Sequence, residues 1–270
     1  MSPVSDLSLM ERLIPSHMYR WIELIRNLAV RDVETRYKHS LLGLYWTLIN
    51  PLVTALIFTF VFGDIFHAPS PDNIPYIVFL LSGLTFWNFF ANSVLSATGS
   101  ITGNAQLLAK LYFPRVVLPV ASVLARSIDF AFSFVVLMLF VLMYRVPFHW
   151  TYIWLPAVLI LQMIFTQGVA YLTAALNVLY RDMTQLVGLV LMVWMYMSPV
   201  MYTASSHPGL QSILLLNPMG ALIQVERSLM FTGYLSDTSF LWVAILWTLM
   251  VYAVGLRVFK RIEPLFAEVL

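Results

Sequence analysis

Arg126 and Asp129 are the clearest ionisable pair of this chain, because they stand inside a long apolar run from Val116 to Tyr144. Three residues apart on a helix, they share a face and can neutralise each other. Counting about 1.5 Å per residue from Val116 sets them near the middle of a bilayer. Charges are expensive at that depth, so the pair must turn toward protein or water, either holding helices together or lining a path. A second charged feature, "RDVETRYK" (Arg31 to Lys38), puts five charged side chains in eight residues and then gives way to the apolar "SLLGLYWTLINP". Neither pattern is catalytic. His17, His39, His67, His149 and His207 are scattered, and no His, Asp and Glu cluster has metal-ligand or acid–base spacing. There is no cysteine, so disulfides, thiolate chemistry and Cys-ligated metals are excluded. No G-x-x-x-x-G-K-[ST] loop occurs either, and Gly103 to Lys110 lacks its Gly-Lys pair. The chain is therefore not expected to hydrolyse ATP by itself, nor to carry a metal or cofactor of its own.

Composition says what surrounds these residues. Hydrophobic residues make up 60% and charged residues 10% of the 270, where a soluble domain has roughly a quarter charged. The chain is read as an integral, all-α, polytopic membrane protein with no large soluble domain. A bilayer core takes about 20 apolar residues in helical form. Six segments qualify: Leu41 to Gly63, Pro75 to Ala97, Val116 to Tyr144, Tyr152 to Leu179, Gln185 to Tyr202 and Phe240 to Leu256. The N-terminus lacks the short apolar core of a signal peptide and is expected to be retained. With that end in the cytoplasm, the cytoplasmic side receives Arg12, Arg20, Arg26, Arg31, Arg36, Lys38, Lys110, Arg115, Arg181, Arg257, Lys260 and Arg261, twelve of the fifteen basic residues. Arg145 and Arg227 fall outside. The positive-inside rule thus favours both termini in the cytoplasm.

Between the fifth and sixth spans, "HPGLQSILLLNPMGALIQVERSLMFTGY" is apolar but broken by Pro208, Gly209, Pro218 and Gly233. Two short helices lying in the outer interface, or dipping in and returning, satisfy its length. The expected division is 1–40, a cytoplasmic segment with an amphipathic helix; 41–259, a six-helix transmembrane domain; and 260–270, a cytoplasmic tail.

Three further features could serve transport. Trp21, Leu24, Ile25, Leu28 and Ala29 recur at helical spacing, with Arg20, Glu23, Arg26, Asn27 and Arg31 mainly between them, predicting an amphipathic helix on the cytoplasmic interface. It is either a passive anchor or a working element. Asn104 can cap a short helix carrying Leu107, Leu108 and Leu111, ended by Pro114. Held between two spans, such a helix could receive a push from a cytoplasmic partner or be an ordinary loop. Aromatics crowd the spans. Trp46, Phe58, Phe62, Phe86, Trp87 and Phe90, then Trp194, Tyr196 and Tyr202, suit interface belts and core. With Asn88, Asn92 and Ser93 nearby, they also suit a path for sugar rings, which have apolar faces and polar edges.

The blocks "RDVETRYKHSLLGLYWTLINPLVTALIFTFVFG", "PYIVFLLSGLTFWNFFANSV", "NAQLLAKLYFPRVVLP", "LNVLYRDMTQL", "MSPVMY" and "NPMGALIQVERSLMF" occur in that order between Arg31 and Phe231. Together they resemble the membrane (permease) subunits of ABC-2 type exporters that move lipid-linked polysaccharides such as wall teichoic acid, O-antigen and capsule. One departure is Leu179 in "NVLYRD", where many members carry another basic residue, so a charge contact by that loop rests on Arg181 and Asp182.

The resemblance implies a homodimer in the bacterial inner (cytoplasmic) membrane, working with two copies of a separate ATPase subunit that binds ATP and Mg. It implies that the ATPase is contacted by Arg26, Arg31, Asp32 and Arg36 on the helix before the first span. Asn104, Gln106, Leu107, Lys110 and Phe113 would do so on the helix after the second. The substrate would be a polyprenyl-diphosphate-linked polysaccharide entering past Arg31, Arg36 and Lys38 and sliding along the aromatic residues, with membrane lipids around it and no nucleic acid. A permease for a smaller lipid or drug is the nearer alternative; an ion-coupled transporter or channel would be expected to carry more ionisable groups at mid-depth.

Overall fold

The computed structural model describes residues 16–38, 45–65, 74–110, 113–203, 216–235 and 237–266, and among them every regular element is helical. Helix α1 is Ser16–Tyr37, α2 is Tyr45–Phe58 with π-helical turns continuing through Thr59–Ile65, and α3 is Tyr76–Thr98. A 3₁₀ turn at Thr102–Asn104 leads into α4, Ala105–Lys110; α5 is Val117–Met143. A second 3₁₀ turn, Trp150–Trp154, opens α6, Leu155–Leu179, followed by α7, Met183–Met197. Helix α8, Pro218–Arg227, also ends in π-helical turns, Ser228–Thr232; α9 is Thr238–Ile262, closed by a 3₁₀ turn at Glu263–Leu265.

Four of these stretches are long and apolar enough to cross a membrane: Tyr76–Thr98, Val117–Met143, Trp150–Leu179 and Thr238–Leu265. The segments expected as first and fifth spans form shorter apolar helices, Leu48–Gly63 and Met183–Met197. Helix α2 passes Pro51, which withdraws one backbone donor, and gives way to π turns only at Thr59. Helix α7 stops because Ser198 precedes Pro199 and is driven to an extended conformation, φ −98° and ψ 148°. At about 1.5 Å per residue, fifteen residues reach about 22 Å, short of a hydrocarbon core of about 30 Å.

Helix α3 is apolar on nearly every side and becomes the centre of the bundle, with 83% of its most apolar window buried against 11% for α5. The exposed side of α5 is a continuous apolar stripe, Leu124, Ile128, Phe132, Val135, Leu139 and Leu142, and α9 carries another through Trp242, Leu246, Leu249 and Met250. Water does not tolerate stripes of that extent, whereas a bilayer does.

The predicted amphipathic helix is α1, but its apolar face has a different cover from the lipid interface expected of it. Leu28 and Ala29 are buried in one cluster with Ile101, Val117, Leu118, Ala121, Phe259 and Phe266, and Trp21, Leu24, Ile25 and Val33 pack onto it. Helix α1 is thus bound to the bundle. The C-terminal turn joins the same node: the Arg115 guanidinium donates to the Glu263 carbonyl and sits 5.6 Å from the centre of the Phe266 ring.

Helix α8 is the second of the two short helices expected before the last span; the first falls on residues outside those described. Helix α8 is buried from Pro218 to Val225 apart from the half-buried Gln224, and on through Phe231. Asn217 starts it, accepting from Gly220 N at 3.0 Å and from Trp194 Nε1 at 2.8 Å while donating to the Met197 carbonyl at 3.1 Å. One side chain therefore fixes the start of α8 to the end of α7.

Helices α6 and α9 meet at paired glycines. A methyl on Gly255 would overlap the Gly168 carbonyl oxygen, and one on Gly168 would lie 2.7 Å from Tyr252 backbone. Neither backbone can yield without the helices parting. Gly255→Ala is expected to lower stability by about 1–3 kcal/mol, the usual cost of overpacking, read as a lower melting temperature of the detergent-solubilised protein. An unchanged melting temperature would show that the helices separate freely.

Candidate functional site

Asp129 is the centre of the site. Its Oδ2 accepts from Arg36 Nη1 at 2.6 Å and from Arg126 Nη1 at 3.1 Å, and its Oδ1 accepts from Tyr37 Oη at 2.5 Å. The expected pair is thus a four-residue cluster in which α1 supplies two donors across more than 90 positions of sequence. Burial, reinforced by Asp129, holds the Tyr37 phenol above its ordinary pKa, so it stays protonated and donates. The three charged side chains are only 22%, 23% and 15% exposed for Arg36, Arg126 and Asp129. Two guanidiniums on one carboxylate leave one positive charge without a local partner in a partly dry setting.

The cluster forms one wall of a cleft of about 510 Å³. Trp46, Asn50, Pro51, Thr54 and Phe58 line it from α2; Leu84, Thr85, Asn88, Phe89 and Asn92 from α3; Phe130 and Ser133 from α5; and Met195 from α7. The third predicted span thus lines the cleft together with the first, second and fifth. Carboxamides, hydroxyls and ring faces alternate on its walls, which can hold a polar solute without metal or nucleophile.

A second polar link joins α1 to the short helix after α3. Arg31 Nη2 donates to Asn104 Oδ1 at 2.6 Å, and Arg31 lies 3.6 Å from Asp32. Asn104 Nδ2 donates back to the Ser100 carbonyl at 2.8 Å. This corrects the expectation that Asn104 caps α4: its oxygen is taken by Arg31, and a 3₁₀ turn opens the helix instead. Asp32 faces α5, where Ser122 Oγ donates to it at 3.4 Å. Of the other expected coupling residues, Arg26, Gln106 and Lys110 are exposed, while Leu107 and Phe113 pack half-buried on the α1 cluster. Lys38 is exposed and is not part of the cleft lining. Leu111, expected on α4, lies outside the described residues.

Several of the aromatic residues expected on a path lie elsewhere. Phe86, Trp87 and Phe90 are 0%, 3% and 0% exposed and turn into the core. Phe90 packs 5.5 Å from Phe165 and 5.2 Å from Trp194, with Trp87 6.4 Å from Trp194, a block tying α3 to α6 and α7. The reason is helical register: Thr85, Asn88 and Asn92 share the cleft face with Phe89, so Phe86, Trp87 and Phe90 must point away. Trp46 and Phe58 do line the cleft, and Phe62 meets Phe58 edge-on at 5.9 Å. Trp194 is held by Asn217; Tyr196 is exposed, and Tyr202 donates to its carbonyl at 3.5 Å, both away from the cleft.

Residues 23–231 match the family described as ABC-2 type transporter. The chain belongs to the ABC-2 type transporter family. It is similar to the O-antigen export system permease protein RfbA of Klebsiella pneumoniae, 33% identical over 244 residues that cover 89% of this chain and 92% of that one. It is also similar to the RfbA of Myxococcus xanthus, 30% identical over 223 residues covering 82% and 85%. The polysialic acid transport protein KpsM of Escherichia coli is 26% identical over 245 residues covering 88% and 93%.

Two parts of this ABC-2 chain escape a reading by residue type. Asn50, Thr54, Thr85 and Ser133 line the cleft, and their signal is faint: single polar residues three or four positions apart within apolar runs. Arg227, counted with the outside loops, is buried in the bundle. It donates to the Phe79 carbonyl at 2.8 Å, the Val200 carbonyl at 2.7 Å, Ser82 Oγ at 3.1 Å and the Pro199 carbonyl, and lies 3.7 Å from the centre of the Phe79 ring. Basic-residue counting cannot separate such a clamp from a loop arginine.

Proposed function

We propose that this chain is the membrane subunit of an ATP-driven exporter that carries a polyprenyl-diphosphate-linked polysaccharide, of the O-antigen, capsule or teichoic acid kind, from the cytoplasmic to the outer face of the bacterial inner membrane. The observation that carries the reading is the cleft. A cationic wall of Arg36 and Arg126 faces carboxamides and aromatic rings, at the point where α1, tied through Arg31 to the short helix after α3, meets the bundle. A diphosphate cannot cross hydrocarbon cheaply, while its prenyl tail can stay in the bilayer. The named activities of the O-antigen and polysialic acid relatives support this substrate class.

In this reading, α2 and α7 complete six spans, both termini face the cytoplasm, and the chain divides at 1–40, 41–259 and 260–270. Two copies face each other across the cleft. Two separate ATPase subunits, which bind ATP and Mg, press on the exposed residues of α1 and α4, with Arg26, Gln106 and Lys110 on the contact surface. Arg31, Arg36 and Lys38 attract the diphosphate, and Trp46, Phe58 and Phe62 offer ring faces to the sugars.

The test is reconstitution of this chain with its ATPase partner in vesicles loaded with lipid-linked polysaccharide. ATP is expected to move polymer to the opposite face, as read by protection from an impermeant glycosidase. No ATP-dependent movement, together with intact surface polymer after deletion of both subunits, would overturn the reading.

A further inference from the structure

We propose that Arg36, Arg126 and Tyr37 form a phosphate-binding subsite whose resident occupant is the Asp129 carboxylate, and that a diphosphate entering the cleft displaces Asp129 and unlatches the last turn of α1 from α5. The proposal rests on the export reading and adds to it how the occupied cleft makes itself felt at the short helix after α3.

The charge balance comes first. Among the residues lining the cleft, the titratable or charged groups are Arg36, Tyr37, Arg126 and Asp129, so with the phenol neutral the wall carries two positive charges and one negative. Asp32, another carboxylate on α1, is engaged with Arg31 and Ser122. A partly desolvated surplus cation favours an incoming anion. The donors are unused in part as well: Arg126 Nε is buried without a partner. A guanidinium matches two oxygens of a phosphate as well as two of a carboxylate, so a phosphate can take the place of Asp129 and engage that idle nitrogen.

The consequence follows from where the donors sit. Arg36 and Tyr37 form the last turn of α1, and their shared hold on the cleft wall is Asp129. One turn earlier, Arg31 grips Asn104. An anion that draws Arg36 and Tyr37 off Asp129 frees the last turn of α1, the helix that also grips the short helix after α3, while the apolar packing of Leu28 and Ala29 on α5 stays in place. A ligand shifts such an equilibrium only by binding one state better, and the diphosphate does so because the latched state already fills its site.

The experiment uses the full chain in nanodiscs with farnesyl diphosphate as probe and farnesol as control, followed by calorimetry. Asp129→Asn keeps the shape and removes the competing charge; it is expected to bind farnesyl diphosphate about tenfold more tightly, with farnesol unchanged. Arg36→Gln and Arg126→Gln are expected to bind it about tenfold more weakly. Arg126→Lys, which keeps the charge and loses the fork, should fall between wild type and Arg126→Gln, and it stands in if Arg126→Gln fails to fold. Weaker binding by Asp129→Asn, or equal binding by all variants, would overturn the subsite. The export reading is judged separately: if the wild-type complex still moves polysaccharide, it survives loss of the subsite, and if the affinities shift as stated but no polymer moves, the subsite survives loss of the export reading.

Discussion

Arg227→Ala is expected to leave almost no folded protein extractable from membranes. The guanidinium feeds four buried acceptors, the carbonyls of Phe79, Pro199 and Val200 and the hydroxyl of Ser82, and covers the Phe79 ring. Alanine takes the guanidinium from the Pro199 and Val200 carbonyls and from Ser82 Oγ, while the Phe79 carbonyl keeps the Ser82 hydroxyl as a donor at 2.7 Å. Each buried acceptor left unsatisfied costs about 1–3 kcal/mol, and loss of a desolvated cation–π contact adds about 2. The sum is comparable with the whole stability of a domain, about 5–15 kcal/mol. Water entering the cavity would recover some of it. Arg227→Lys keeps the charge but has one nitrogen for acceptors on two segments, α3 and the turn after α7, so it should be recovered in low yield with a clearly depressed melting temperature. Extraction yield and monodispersity on size exclusion check both. Normal yield of Arg227→Ala would show that the clamp is decoration. Gly83 offers an independent approach, since a methyl there would overlap Arg227 Nη2 and lie 2.9 Å from the Val200 carbonyl oxygen. Gly83→Ala pushes the clamp off the turn that follows α7, and it should reproduce a milder form of the same defect.

That clamp marks the limit of what residue types reveal. Apolar runs identify four spans directly because length and hydropathy are local properties, but the π turns that follow α2 and the Pro199 that ends α7 are matters of backbone geometry, which a hydropathy count does not see. For α1 the amphipathic spacing was legible and its cover was not, since Leu24, Ile25 and Leu28 would make the same stripe against lipid or against α5. The site divides in the same manner. Arg126 and Asp129 are visible as a pair because they are three residues apart on one helix. Arg36 and Tyr37 reach them from another element, and the charge run before α2 announces donors without naming their acceptor. In α3 almost every position is apolar, so no stripe tells which aromatics face inward; the sparse Thr85, Asn88 and Asn92 are the markers of the cleft face.

The second large effect is expected from Arg36→Glu, which sets a carboxylate against Asp129 where a 2.6 Å ion pair stood. Breaking a buried pair by removing one partner costs about 3–5 kcal/mol. At 22% and 15% exposure this pair is screened in part, so about 1–3 kcal/mol is the expected penalty on the docked position of α1. That is too little to unfold a bundle whose core lies elsewhere. It is enough to shift a docking equilibrium about fivefold or more. Arg36→Glu should therefore reach the membrane in normal amounts and still bind its ATPase, yet lose at least about fivefold of ATP-driven export. Combining it with Asp129→Arg keeps the net charge of the cluster, since the introduced glutamate and two arginines again sum to one positive charge. The swapped pair should regain part of the lost transport. It should not regain all, because Tyr37 loses the carboxylate it donates to and Arg126 gains a like-charged neighbour three residues on. Membrane content by quantitative blot and export measured on the same vesicles separate the possibilities. If α1 is a lever, export falls while content holds, and the double variant recovers. If α1 is an anchor, content and export fall together and reversing the second charge repairs neither.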